Sequence, residues 1–115
     1  MKTVKVILSP EAEEVYKYLN QQSPNSKIER SIFNAINKKV ELIKFNVHYG
    51  DSIKKDQIPE KYKIKYDVNN LFRVELPNFW RMYYTLTDDE NQVEIIAFVL
   101  DILDHKEYDK IRKSI

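Results

Sequence analysis

The chain contains no cysteine and a single glycine, Gly50, in 115 residues. Without cysteine there is no disulfide framework, no zinc-thiolate site and no thiol nucleophile. The lack of cysteine also agrees with a reducing compartment. With one glycine the chain can hold neither a dinucleotide-binding fingerprint nor a P-loop, because both need several glycines at fixed spacing. No apolar run approaches the length that spans a bilayer. Met1-Lys2-Thr3-Val4-Lys5 leads directly into a strand-like run, so a secretory leader is not expected. Nor is there a strong excess of charge of either sign, the formal net charge being +1.

What is present suits a globular domain: 43% apolar and 32% charged residues in a length that buries one core. These features predict a soluble, cytoplasmic, single-domain protein over residues 1–115, with no membrane partner. Charge is distributed unevenly. Residues 1–65 carry 13 Lys and Arg against 8 Asp and Glu, a balance of +5, and residues 66–115 carry 6 against 10, a balance of −4. The densest basic stretch is Lys54, Lys55, Lys61, Lys63 and Lys65. Such a stretch either docks phosphates by counterion release or forms a solvated surface.

Hydrophobic periodicity sets the element order. Val4, Val6 and Leu8 alternate as in a strand. Ser9-Pro10 is an N-cap followed by proline at the first helical position, and the helix runs to about Gln22. Ser26 with Glu29 forms a capping box for a second helix, whose Ile28, Ile32, Ala35, Ile36, Val40 and Ile43 make one stripe ending near Asn46. Residues 47–70 are irregular, with a short helix from Pro59 to Tyr66 and a turn at Asp67-Val68-Asn69-Asn70. Three strands follow as a meander, Leu71–Leu76, Phe79–Leu86 and Gln92–Leu100. Asp104 with Glu107 caps a last helix from His105 to about Lys113. The pattern predicts an α+β fold of order β-α-α-β-β-β-α. Its sheet is expected to be antiparallel, with a helical hairpin packed on one face and the other face open.

The meander's register follows from burial. A three-residue link, Pro77-Asn78-Phe79, sets Leu76 opposite Trp80 and Val74 opposite Met82, all toward the core. Arg73, Glu75, Arg81, Tyr83 and Thr85 then share the opposite face. Guanidinium forks side by side suit a phosphodiester and the charge that develops on it. The same register also allows a plain Glu75–Arg81 ion pair and Arg73 stacked on Tyr83. His105 stands at the strand-to-helix junction with Tyr108 one turn on. An imidazole there is either a proton-transfer group or a surface and capping residue. His48 lies in the irregular connection and has no assigned role.

With these residues in place, the chain resembles the RelE/ParE superfamily of type II toxins. The resemblance lies in the element order, in Leu71-Phe72-Arg73-Val74-Glu75 and in Trp80-Arg81-Met82-Tyr83-Tyr84. His105-Lys106-Glu107-Tyr108-Asp109-Lys110-Ile111 is similar to the ending of HigB-type members, with Asp104 where that pattern has threonine. The resemblance implies a ribosome-dependent mRNA endoribonuclease, neutralised by a cognate antitoxin. Cleavage proceeds by attack of the 2′-hydroxyl and needs no metal or other cofactor. It implies Arg73 and Arg81 at the scissile phosphate, with His105 and Tyr108 positioning substrate or moving protons. Lys54, Lys55, Lys61, Lys63, Lys65 and Tyr83 would hold RNA. ParE-like members act on DNA gyrase, so a non-catalytic, protein-binding role on the same fold stays open.

Overall fold

A computed structural model describes residues 3–88 and 94–113. The expected start of the third meander strand at Gln92, and the link over residues 89–91, lie outside the described residues. β1 (Thr3–Leu8) leads into α1 (Pro10–Gln22) and α2 (Lys27–Phe45). A two-residue strand, β2 (Asp51–Ser52), precedes a 3-10 turn at Lys55–Gln57 and α3 (Glu60–Tyr66). β3 (Phe72–Glu75), β4 (Arg81–Asp88) and β5 (Glu94–Leu103) follow, and α4 (His105–Lys113) closes the chain. The fold is α+β, with the two N-terminal helices packed on a five-stranded sheet of order β1-β5-β4-β3-β2.

Local chemistry sets the helix starts. Ser9 caps α1, its Oγ accepting from the Ala12 N–H at 3.0 Å, and its own hydroxyl donates to the Leu100 carbonyl at 2.6 Å. One buried serine thus ends β1, begins α1 and anchors both to β5. Ser26 caps α2, accepting from the Glu29 N–H at 3.4 Å. Caps of this kind each stabilise a helix by about 1 kcal/mol. Ile32, Ile36 and Ile43 of α2 and Ala12 and Leu19 of α1 are fully buried against Met82, Tyr84, Ala97 and Val99 of the sheet. The lone glycine is needed for space. A Cβ at Gly50 would meet the Arg73 carbonyl oxygen and the Tyr84 ring, both at 3.0 Å. Tyr84 holds the segment there by accepting from the Gly50 N–H at 3.0 Å and donating to the Val47 carbonyl at 2.8 Å.

The meander has the register that burial demands, Val74 opposite Met82 and Glu75 opposite Arg81. The Leu76 N–H donates to the Trp80 carbonyl at 3.0 Å beyond it. Two expectations are corrected. The sheet is mixed, not wholly antiparallel, because β1 pairs with β5 in parallel from Thr3–Glu94 to Leu8–Val99. The chain between the two runs through the helical hairpin and then β2, α3, β3 and β4, far longer than the dozen residues a parallel pairing requires. The second face is also not open. α3 and α4 lie on it, and Ile58, Tyr62, Val68, Leu71, Tyr83, Leu100, Leu103 and Tyr108 form a second, smaller apolar cluster there. The apolar residues on both parities of β5 demand this cover.

A bulge in β5 serves both clusters. Tyr84 pairs with Val99 while Tyr83 pairs with Asp101, so Leu100 is the extra residue. Val99 and Ile102 therefore both reach the main core, whereas Leu100 and Leu103 reach the second cluster. No helix among the described residues is long and apolar enough to cross a membrane.

Candidate functional site

The antiparallel register brings Arg73 and Arg81 to the same face of β3 and β4. α4 supplies the third member of the group. Asp104 caps this helix, its Oδ1 accepting from the Glu107 N–H at 2.9 Å. The cap fixes where the first turn begins and so places Tyr108 against the sheet. Tyr108 is 7% exposed and its ring packs on Tyr83 at 6.3 Å between centroids.

Both guanidinium groups meet on this one phenol. Arg73 Nη1 donates to the Tyr108 hydroxyl at 2.8 Å. Arg81 lies over the ring, its Cζ 5.0 Å from the centroid, and its Nη1 donates to the Trp80 carbonyl at 2.9 Å. The Nε atoms of both arginines are buried and have no hydrogen-bond partner among the described residues. Buried donors left in this way are costly, and a water or ligand oxygen would remove the cost.

Each arginine also has an acid nearby. Arg73 Nη2 is 3.8 Å from Asp51 Oδ2, and Arg81 Nη2 is 3.6 Å from Glu75 Oε1. The carboxylates are the outer partners: the Glu75 side chain is 68% exposed and that of Arg81 17%. Long contacts to solvated carboxylates are worth little, about 0–1 kcal/mol. They dilute the positive field of the site without filling it.

The other expected site residues divide into two places. His105 begins α4, and its contacts among the described residues are with Asp109 and Phe79, not with the arginines. Its Nε2 is 3.4 Å from Asp109 Oδ2, and its ring is 5.7 Å from that of Phe79. Tyr83 is brought beneath the group but is buried, with its ring 5.8 Å from Tyr62 on its other side. Lys61 and Lys65 belong to a different cluster, around a cavity of about 140 Å³ between α1, α3 and β5. Lys61 pairs with Asp101 at 3.3 Å, and Lys65 pairs with Glu11. Lys63 is in the last turn of α3, and Lys54 and Lys55 begin the 3-10 turn before it. Lys61 and Lys65 are therefore engaged in this second cluster and not with the arginines.

This second cluster is electrostatically self-contained. Hydrogen bonds from Lys65 and Tyr66 hold the Glu11 carboxyl down to about 2. Burial, reinforced by the Asp101 carboxylate, pushes the Tyr62 phenol up. Asp101 was not singled out from the sequence. Its signal was one acid interrupting the apolar run that ends in Leu103, at the position the bulge turns toward α3. The sequence pattern places Phe79 at the start of a strand or in the link before it and gives it no site role, although it stands beside His105 and is 69% exposed. Among the described residues, no group of three or more His, Cys, Asp or Glu is placed to hold a metal ion.

No family model, curated protein or solved structure compared with the chain matches it.

Proposed function

We propose that the protein cleaves RNA as a toxin of RelE/ParE type, with Arg73, Arg81 and Tyr108 around the scissile phosphate. The observation that carries this reading is the shared phenol, which accepts from Arg73 while Arg81 covers its ring. Two guanidinium groups held in fixed positions stabilise the charge that builds on a phosphodiester during displacement. The 2′-oxygen attacks phosphorus, the bond to the 5′-oxygen breaks, and a 2′,3′-cyclic phosphate and a 5′-hydroxyl result. His105 takes the proton from the 2′-hydroxyl, and Tyr108 delivers one to the departing oxygen. Under this reading the protein works in the cytoplasm on mRNA held by translating ribosomes, and a cognate antitoxin restrains it.

The test is induction of the wild type and of Arg81→Ala, followed by mapping of transcript ends on translating ribosomes. Growth arrest with new 5′-hydroxyl ends for the wild type alone is the expected result. Harmless expression of both, with no new ends, overturns the nuclease.

A second reading is favoured by the acids beside the arginines, Asp51 at 3.8 Å and Glu75 at 3.6 Å. Under it the same face binds a protein partner without chemistry, as in a ParE-like inhibitor. Growth arrest without RNA cleavage would support it.

A further inference from the structure

The link between β3 and β4 carries a conflict between its backbone and its side chain. The Trp80 N–H donates to the Pro77 carbonyl at 3.3 Å across Asn78 and Phe79. Both intervening residues have positive φ, 60° at Asn78 and 64° at Phe79. This is the backbone of a type I′ turn, for which the favoured pair is Asn-Gly. Asparagine occupies the first position as expected. The second holds a phenylalanine, whose Cβ makes the left-handed region strained.

Burial does not account for this residue. Phe79 is 69% exposed, so its ring is largely in water. Phe45 and Ile64 are exposed too, but each sits in an unstrained helix. Among the described residues, only Phe79 combines a large exposed apolar side chain with a left-handed backbone. Strain of this kind clusters where a side chain has work to do.

Its surroundings indicate the work. The His105 ring backs it at 5.7 Å with the planes 57° apart. Phe79 is two residues before Arg81, and His105 is one helical turn before Tyr108. The aromatic pair and the arginine group thus share the same hairpin and the same first turn of α4. An exposed ring beside a cationic phosphate site is the arrangement that recognises single-stranded RNA, where a splayed base stacks on an aromatic side chain.

We propose that Phe79, backed by His105, is the stacking platform for an unpaired nucleobase next to the phosphate held by Arg73 and Arg81. The proposal rests on the RNA-cleaving reading above and adds a residue that positions the substrate and reads one of its bases. Asn78 and Phe79 hold the ring out from the sheet, and the imidazole limits its rotation on one side. Stacking is tolerant of base identity but favours purines through their larger surface, so the preference at this position is graded.

The test uses purified protein, translating ribosomes carrying a defined message, and mapping of the cut ends. Phe79→Gly suits the turn and removes the ring, Phe79→Leu keeps apolar bulk without a π-face, and Phe79→Trp keeps a π-face. The expected result is a loss of roughly tenfold or more in cleavage rate for the glycine and leucine variants. Base preference at one position beside the cut should flatten with it, and tryptophan should restore both. Cleavage by Phe79→Gly at the wild-type rate and preference overturns the platform and leaves the nuclease standing, provided Arg81→Ala is inactive. Absence of cleavage by the wild type overturns both. Unchanged cleavage by Phe79→Gly with lost growth arrest in cells assigns the ring to a protein contact instead, and also overturns the proposal.

Discussion

The Tyr62 hydroxyl donates to the Asp101 carboxylate at 2.6 Å, tying α3 to the bulge of β5. From Tyr62 the aromatic contacts pass to Tyr83 and then to Tyr108, so this bond lies at one end of a row that ends under the two arginines. Tyr62→Phe keeps the ring and removes the bond. Loss of a hydrogen bond to a charged acceptor costs about 1.5 kcal/mol or more, readable in urea unfolding. The substitution should also alter the alkaline limb. The folded protein holds this phenol's proton more tightly than the unfolded chain does, because burial raises it. Its contribution is therefore full below pH 10 and declines as pH rises beyond that. The wild type should lose stability more steeply above pH 10 than Tyr62→Phe.

The acid limb has its own reporter. Glu11 is held near 2 instead of its ordinary 4.5. A lowered carboxyl stabilises the fold above its unfolded value, and that contribution disappears as pH falls from 4.5 toward 2. The advantage of the wild type over Glu11→Gln should shrink across this window. Because the pair with Lys65 is largely solvated, added salt should reduce the advantage at pH 7 as well. Denaturation midpoints followed from pH 4.5 down to 2, and at two ionic strengths at pH 7, check both.

Gly50→Ala tests close packing instead of backbone freedom. The added methyl would meet the Arg73 carbonyl and the Tyr84 ring at 3.0 Å and Phe72 Cβ at 3.1 Å. Overpacking of this kind destabilises by about 1–3 kcal/mol. Because Arg73 belongs to one of the strands displaced, any RNA cleavage should fall more than the change in stability alone explains.

Tyr108→Phe separates the two uses of one side chain. The ring under Arg81 remains, and the acceptor for Arg73 is lost. Removal of a proton-transfer group typically costs a hundredfold or more in rate. Such a fall in cleavage, with a folded protein by circular dichroism and a stability loss of about 1.5 kcal/mol or more, is the expected outcome.

Much of the fold was legible because local rules and burial agreed. Ser9-Pro10 and Ser26–Glu29 marked two helix starts, and the apolar alternation of β3 and β4 fixed a register that placed Arg73 and Arg81 together. The parallel partner of β1 was not legible, since strand order depends on tertiary contacts such as that of Ser9 with Leu100. The apolar residues on both parities of β5 signal cover on the second face, but not which elements supply it. α3 is short and half polar, and Tyr62 or Tyr108 looks no different in sequence from a surface tyrosine. For the candidate site, the sequence named the arginines and Tyr108. It could not name Asp51, which reaches Arg73 only through a two-residue strand, or the strain at Phe79, which is a property of the turn.

The bulge at Leu100 has an implication for how the molecule tolerates change in length. β5 behaves as two segments out of phase, each of which sends side chains to both faces, Val99 and then Ile102 to the main core and Phe98 and then Leu103 to the second cluster. Gaining or losing a residue within either segment would turn its inward side chains outward, and only the junction itself can absorb such an edit. Variation in length is thus channelled into the connection before α3 and the joints between strands. The phase offset lets one central strand support a packed scaffold on one side and a distinct chemical surface on the other.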